Sequence, residues 1–389
     1  MTKTNQKIPV GWSVDEFGKI AFLSKEKYIP SPNEHMKCLE LEHLEKETGQ
    51  LKGYIDSALQ SSAKNRFKKG DVLYGKLRSY LKKYTLASFD GVCSTEIWVL
   101  RGWQEKLINI YLYLIIQTNK FNTACSVSTG THMPRADWEY VSNIPFMYPP
   151  LPEQEKIAEI LSCWDEGIEK LSALIEKKKL QKKALMQKLL TAKIRLPGFT
   201  DPWKNVKLGD FLIFQTGFPF DSQFFNQDGN GIRLIKNRDL KSDDQMYFYS
   251  GNYSTDDIVN DGDILVGMDG DFLPCLWKKG RALLNQRVGR VICKKNLNHI
   301  FAYYALSSPL EKIQNKTAST TVKHLSHAGV LEIKTIIPSS LAEQKAIADI
   351  LSKADAEIEL LNKKLAAFNL EKKAMMQKLL TGQIRVKVN

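Results

Sequence analysis

Leu151-Pro152-Glu153-Gln154 opens a run that closes at Lys188-Leu189-Leu190-Thr191, and Leu341-Ala342-Glu343-Gln344 opens a second that closes at Lys378-Leu379-Leu380-Thr381. The two runs align without a gap, and about half of the aligned positions are identical, far more than unrelated helices share. Taken in sevens, the first run places Ile157, Trp164, Leu171, Lys178 and Leu185 at one seam position and Leu161, Ile168, Ile175, Lys182 and Leu189 at the other. The second places Ile347, Ala354, Leu361, Phe368 and Met375 beside Leu351, Ile358, Leu365, Lys372 and Leu379. Apolar residues sustained at this spacing predict long helices that bury a stripe against another helix. The repeat makes each copy the better partner for the other.

At ~39 residues each helix is roughly 58 Å long. The first must carry the chain from one globular region to a second. An approximate two-fold axis would return the second helix antiparallel, giving a pseudo-symmetric pair of divergent heads on a shared helical spacer. Lys182 and Lys372 interrupt the seam at the same place in both copies. Two readings are open for them: stems that snorkel at a frayed helix end, or ammonium groups that meet an acidic residue of a partner subunit.

The regions outside the helices echo each other more faintly. Trp12 precedes Gly18 as Trp203 precedes Gly209, and Gly70-Asp71-Val72-Leu73 is matched by Gly262-Asp263-Ile264-Leu265. The apolar segment 107–116 has a counterpart at 297–306. The chain is one unit of roughly 190 residues used twice. This divides it into a first head at 12–150, a first helix at 151–196, a second head at 203–338 and a second helix at 339–389, after the break Pro197-Gly198-Phe199-Thr200-Asp201-Pro202. The heads read as mixed α/β (α+β). Lys69–Tyr74 is expected to be a turn entering a strand, Cys93–Leu100 one strand, Leu107–Asn122 helical, Ser126–Arg135 a loop and Val141–Met147 a last strand.

The 389 residues suffice for two or three domains, and 43% hydrophobic residues suffice for their cores. A formal charge of +13 and a pI of 9.2 favour a polyanionic partner, nucleic acid first and an anionic membrane surface second. No apolar run has the ~18 residues of a membrane span, and no signal peptide is expected behind Met1–Lys7. Cys38, Cys93, Cys125, Cys163, Cys275 and Cys293 form no Cys-x-x-Cys pair, which suits free thiols in a reducing cytosol.

Catalytic constellations are not found in the sequence. There is no Gly-x-x-x-x-Gly-Lys-Ser/Thr loop, no Gly-x-Gly-x-x-Gly and no Asp/Asn-Pro-Pro-Tyr/Phe string. His324-x-x-His327 lacks the glutamate and spacing of a zinc protease, and Glu332-Ile333-Lys334 lacks the Pro-Asp of a nuclease motif. No catalytic, cofactor or metal residue is assigned. Both heads do carry basic, aromatic and amide side chains in loop contexts. In head one these are Lys76, Arg78, Tyr80, Lys82, Lys83, Thr129, Thr131, His132 and Arg135. In head two they are Lys236, Arg238, Lys278, Lys279, Gln286, Arg287, Thr321, Lys323 and His324. Such groups suit phosphates, and Arg, Asn and Gln pair bidentately with purine edges. Singly each is an ordinary solvated residue; their recurrence in both heads makes them candidates for DNA contact.

With these segments in place the chain resembles the specificity subunits of type I restriction–modification systems. The resemblance rests on Trp12 to Gly18, Gly70-Asp71-Val72-Leu73 with Lys76-Leu77-Arg78, Cys93-Ser94-Thr95-Glu96, Ser128–Arg135, and Pro149-Pro150-Leu151-Pro152-Glu153-Gln154. Head two lacks the Gly-Thr-x-Met-Pro-Arg string. The resemblance implies two target-recognition domains, each reading one half of a split site in double-stranded DNA. It implies paired helices that set the spacer and dock two modification subunits, which methylate adenine N6. S-adenosylmethionine, ATP and Mg would sit on the modification and restriction subunits, and none of them on this chain. A prokaryotic cytoplasm and no membrane contact are expected. The competing readings are a coiled-coil scaffold with protein-binding heads and a stand-alone DNA-modifying enzyme.

Overall fold

Two long helices, Leu151–Leu189 and Leu341–Leu380, organise a computed structural model that describes residues 8–129, 133–316 and 324–388. Contacts divide the chain into two units, 1–172 with 363–389 and 173–362. The division runs through both helices, so each unit holds one head, the first part of one helix and the last part of the other.

In both units the two helix parts run antiparallel. In the first unit Trp164 stacks edge-on against Phe368, with ring centroids 5.6 Å apart, and Lys372 bonds Asp165 at 2.5 Å. In the second, Lys178 pairs with Glu357 at 2.6 Å and Lys182 bonds Asp355 at 2.5 Å. Asp165 and Asp355 occupy the same place in the repeat, as do Lys182 and Lys372, so one cross-helix pair is made twice by symmetry. This corrects both readings of the seam lysines. Each ammonium meets an aspartate of the facing helix of the same chain, which supplies the acid that the second reading sought on a partner subunit. Tyr304 adds a hydroxyl that donates to Asp355 at 2.6 Å, a support that Leu114, its counterpart in head one, cannot give.

The seam is less uniform than its heptads imply. Ile157 and Leu161 are fully buried with Leu379 and Leu380 inside the core of head one, together with Leu107, Tyr111 and Leu112. Ile347 and Leu351 are buried with Leu189, Phe301 and Leu306 in head two. The opening turns of each helix therefore belong to a head, as does the end of the other helix. Ile168, Leu361 and Leu365 in the first and last parts, and Ile358, are only half-buried, while Leu171 is buried.

Each head contains a four-stranded antiparallel sheet with the same strand order. In head one it is Ala21–Leu23, Ile97–Gly102, Val72–Gly75, Tyr84–Leu86; in head two it is Leu212–Thr216, Val288–Cys293, Ile264–Gly267, Pro274–Leu276. Each also has a five-stranded mixed sheet with one parallel pair, Lys37–Leu39 beside Gly91–Ser94 and Ile232–Ile235 beside Ala282–Leu284. Four strands correspond between these sheets. The fifth is added at opposite edges: Lys27–Tyr28 lies outside Lys64–Phe67, whereas Phe225–Asn226 lies outside Tyr247–Tyr249. The heads have diverged at the sheet edges, where an added strand disturbs no inner pairing.

Several local expectations change. The segment 93–100 is two strands, Gly91–Ser94 and Ile97–Gly102, in different sheets, with a turn at Thr95–Glu96. The helical stretch 107–122 breaks into Asn109–Ile115 and Asn119–Ser126, because Thr118 caps the second helix by accepting from Phe121 N at 3.3 Å. Val141 is the buried residue of a short helix, Trp138–Ser142, capped by Asp137, and the last strand is Pro145–Tyr148. Inside the expected loop 126–135, Ser128–Thr129 pairs with Arg135–Ala136.

Candidate nucleic-acid interface

The loops that carry many of the candidate residues hang on the same backbone frame in both heads. In head one Lys76 N donates to Glu96 O at 2.9 Å and Ala136 N donates to Lys76 O at 2.9 Å. In head two Met268 N donates to Arg287 O at 3.0 Å and Leu325 N donates to Met268 O at 2.8 Å. Bridges between Leu77 and Arg135, and between Asp269 and His324, continue the match. The frame thus equates Lys76 with Met268, Leu77 with Asp269, Glu96 with Arg287 and Arg135 with His324. The backbone is kept and the side chains are exchanged, with an acid standing at 96 where a base stands at 287.

In head one Arg135 forms a two-pronged pair with Glu96, at 3.0 and 3.2 Å. The carboxylate holds the guanidinium firmly protonated, chiefly through that hydrogen bond. Arg78 N donates to Pro134 O at 2.8 Å, which fixes the following turn, Ser79–Leu81, against the same hairpin. Ser79 is buried and its hydroxyl donates to Cys125 O at 2.7 Å, while Tyr80 at the turn's tip stays 59% exposed. In head two Asp269 gathers both bases, Arg287 at 3.1 Å and His324 Nδ1 at 2.9 Å. Asn237 donates its amide to Asp269 O, which draws the Lys236–Arg238 turn to the same edge. Gln286 is exposed on the next loop, where its N donates to Phe218 O at 3.1 Å and Phe218 is 52% exposed. Phe218, Gln286, Arg287 and His324 thus lie on loops that are bonded to one another, and Arg238 follows Asn237 with its guanidinium 5.3 Å from the Tyr247 ring centre.

Other candidates have structural employment. Lys83 donates to Leu41 O at 2.5 Å, and burial pulls its pKa down. Lys82 pairs with Glu47 at 2.8 Å, a bond that holds the Glu47 carboxyl below its ordinary value. Lys236 lies 3.2 Å from the Tyr247 ring centre, and burial lowers its pKa too. Lys278 and Lys279 follow the end of the 264–276 hairpin remote from Asp269. Lys278 pairs with Glu359 at 3.6 Å and Lys279 donates to Asp239 O at 2.7 Å. The structure does not bring Lys278 to the loop cluster, and it spends the Lys279 ammonium on a carbonyl of the turn that carries Arg238. Thr129 lies in the short strand opposite Arg135, and Thr131, His132, Thr321 and Lys323 fall outside the described residues. His327 turns to the Phe214 ring at 6.0 Å, so it and His324 do not converge.

Two further constellations escaped the sequence reading. Glu153 is buried and receives Trp12 Nε1 at 3.2 Å and Arg385 at 2.7 and 2.8 Å. Glu343 receives Trp203 Nε1 at 3.1 Å and Arg195 at 3.1 and 2.7 Å. The neighbouring glutamines tie each helix start to its head: Gln154 accepts from Ile108 N and donates to Lys106 O, and Gln344 accepts from Asn298 N and donates to Asn296 O. The signal was present in the repeated polar pair Glu-Gln and in Ile194-Arg195 repeated as Ile384-Arg385. Polar residues retained between otherwise divergent copies mark buried bonds.

Comparison with known proteins adds to this geometry. A family described as "Type I restriction modification DNA specificity domain" matches twice, at residues 9–180 and 200–369. The specificity subunit of the type I restriction enzyme MjaVIII of Methanocaldococcus jannaschii is 29% identical over 324 residues, 76% of this chain and 75% of that protein. The EcoBI specificity subunit of Escherichia coli is 36% identical over 160 residues, 41% of this chain and 34% of that protein. The solved structure of a type I restriction-modification system S subunit from M. genitalium shares the fold with a TM-score of 0.60, across 97% of both chains at 16% identity.

Proposed function

Because the chain belongs to the type I restriction–modification DNA specificity family, we propose that its two heads each read one half of a bipartite site in double-stranded DNA. The observation that carries this reading is the shared loop frame with exchanged side chains. A constant backbone places an edge of each head in the same way, and the residues on it change the bases that fit. Thr129, Thr131, His132, Thr321 and Lys323 complete the loop set by sequence position. Lys83, Lys236 and Lys279 are assigned to holding the loops. The paired helices serve as the spacer between half-sites and as the docking face for two modification subunits, with restriction subunits joining the assembly. Half-sites about one helical turn (~34 Å) apart would present the same face of the duplex to both heads.

Catalysis, S-adenosylmethionine, ATP and Mg belong in this proposal to the partner subunits, and the assembly works on DNA in a prokaryotic cytoplasm. No observation favours the scaffold or the stand-alone enzyme. The test is methylation mapping in a host expressing this chain with its modification subunit. Replacing residues 12–150 by another head should change one half-site and leave the other intact. Changes in both halves, or in neither, would reject modular reading. The purified chain alone, given duplex DNA, magnesium and labelled S-adenosylmethionine, should transfer no methyl group.

A further inference from the structure

Arg78 occupies left-handed backbone, with φ 51° and ψ 52°. The loop frame equates it with Gly270, which adopts φ 76° in head two. Both loops therefore require the same unusual conformation. Head two meets it with the residue that adopts it freely, and head one meets it with an arginine, whose Cβ crowds the carbonyl oxygen there. Such strain persists where the surroundings enforce it, and at this site they do. Arg78 N is bound to Pro134 O, Leu81 N donates to Arg78 O at 2.9 Å, and the adjoining Ser79 is anchored in the core. The side chain gains nothing visible in return. It is exposed, and among the described residues its guanidinium meets no hydrogen-bond or ion-pair partner.

Resting on the specificity reading, we infer that Arg78 is the principal base-reading arginine of head one, taking the N7 and O6 edge of a guanine in the major groove. A phosphate contact would be served by a flexible side chain on relaxed backbone, whereas a bidentate base contact needs the guanidinium aimed. The neighbourhood agrees. Arg78 is tied to the hairpin whose Arg135 is held by Glu96, and that carboxylate disfavours phosphate while it accepts from the amino groups of cytosine or adenine. In head two the corresponding guanidinium comes from another loop. Arg287 stands where head one has Glu96, steadied by Asp269, and Gly270 stands at the position of Arg78.

The test is R78G, R78N and R78K in the full chain, each co-expressed with the modification subunit. Glycine and asparagine tolerate left-handed backbone, so both variants should keep or raise the urea midpoint. In methylation maps they should lose discrimination at one guanine of one half-site by about ten-fold or more, with the other half-site unchanged. R78K keeps the charge but not the fork and should relax the same position. Wild-type specificity in R78K, or uniform weakening by R78G with the half-site sequence kept, would make Arg78 a phosphate contact and overturn the inference. Lower midpoints for both R78G and R78N would overturn the account of strain. If the wild-type chain directs no bipartite methylation at all, the specificity reading itself fails rather than this residue's role.

Discussion

Each long helix starts with a buried glutamate whose charge is met by an arginine from the segment that follows the other helix. Glu343 is fully buried, and its carboxylate is held by two prongs of Arg195 and by the Trp203 indole. Arg195→Ala would leave that charge with a single neutral donor. Breaking a buried pair from one side costs about 3–5 kcal/mol. Arg195 is 29% exposed, so water replaces part of the lost bonding, which places the cost near ~3 kcal/mol by the same reasoning. The same change at Arg385, which is 41% exposed opposite Glu153, should cost less, about 2 kcal/mol after allowance for solvent screening. Glu343→Gln removes the charge but keeps an oxygen for Trp203. The double variant should therefore recover about 1–2 kcal/mol relative to the sum of the single changes. Urea titration followed by tryptophan fluorescence and far-UV circular dichroism measures these costs, provided the two transitions coincide. Exchange of the Trp203 indole proton reports on the second unit locally. A cost below about 1 kcal/mol for Arg195→Ala, or a coupling below about 0.5 kcal/mol, would refute the claim that this carboxylate depends on its arginine.

Other consequences are open to simpler measurements. Ala192 follows the first long helix with φ 56°, where Gly382 follows the second with φ 67°, so Ala192→Gly should raise stability by about 0.5–1 kcal/mol in the same titration. The reverse change, Gly382→Ala, should destabilise by more, since its Cβ would stand 2.3 Å from Pro9 Cγ. Tyr304→Phe removes the hydroxyl that supports Asp355 and should cost about 1 kcal/mol, with no comparable cost for Tyr113→Phe in head one. DNA binding by the assembled complex should weaken linearly on a log–log plot against salt, and Arg238→Ala should lower that slope by about one if it touches phosphate.

Much of the architecture was legible because it repeats. Each long helix writes its buried stripe along consecutive residues, so heptad spacing exposes it without knowledge of any partner. The duplication then predicts the antiparallel pairing, which the crossed pairs of Lys182 with Asp355 and Lys372 with Asp165 realise. The partners of those lysines were hidden, because spacing along one helix says nothing about which acid faces it across the seam.

The heads divide in the same way. Gly70 with Val72–Gly75 and Gly262 with Ile264–Gly267 could be matched by eye, since a turn glycine and an apolar run are local signals. The split of 93–100 into two strands is not local. It follows from the two segments joining different sheets, and only that split puts Glu96 on the loop that holds Arg135. The repeat and its heptad spacing laid out two heads and two long helices, and the positive charge made a polyanionic partner the first expectation. Which lysines are spent on carbonyls and which acids answer which bases were decided by tertiary structure, because those contacts join residues far apart in the chain and are chosen by the backbone frame that brings them together.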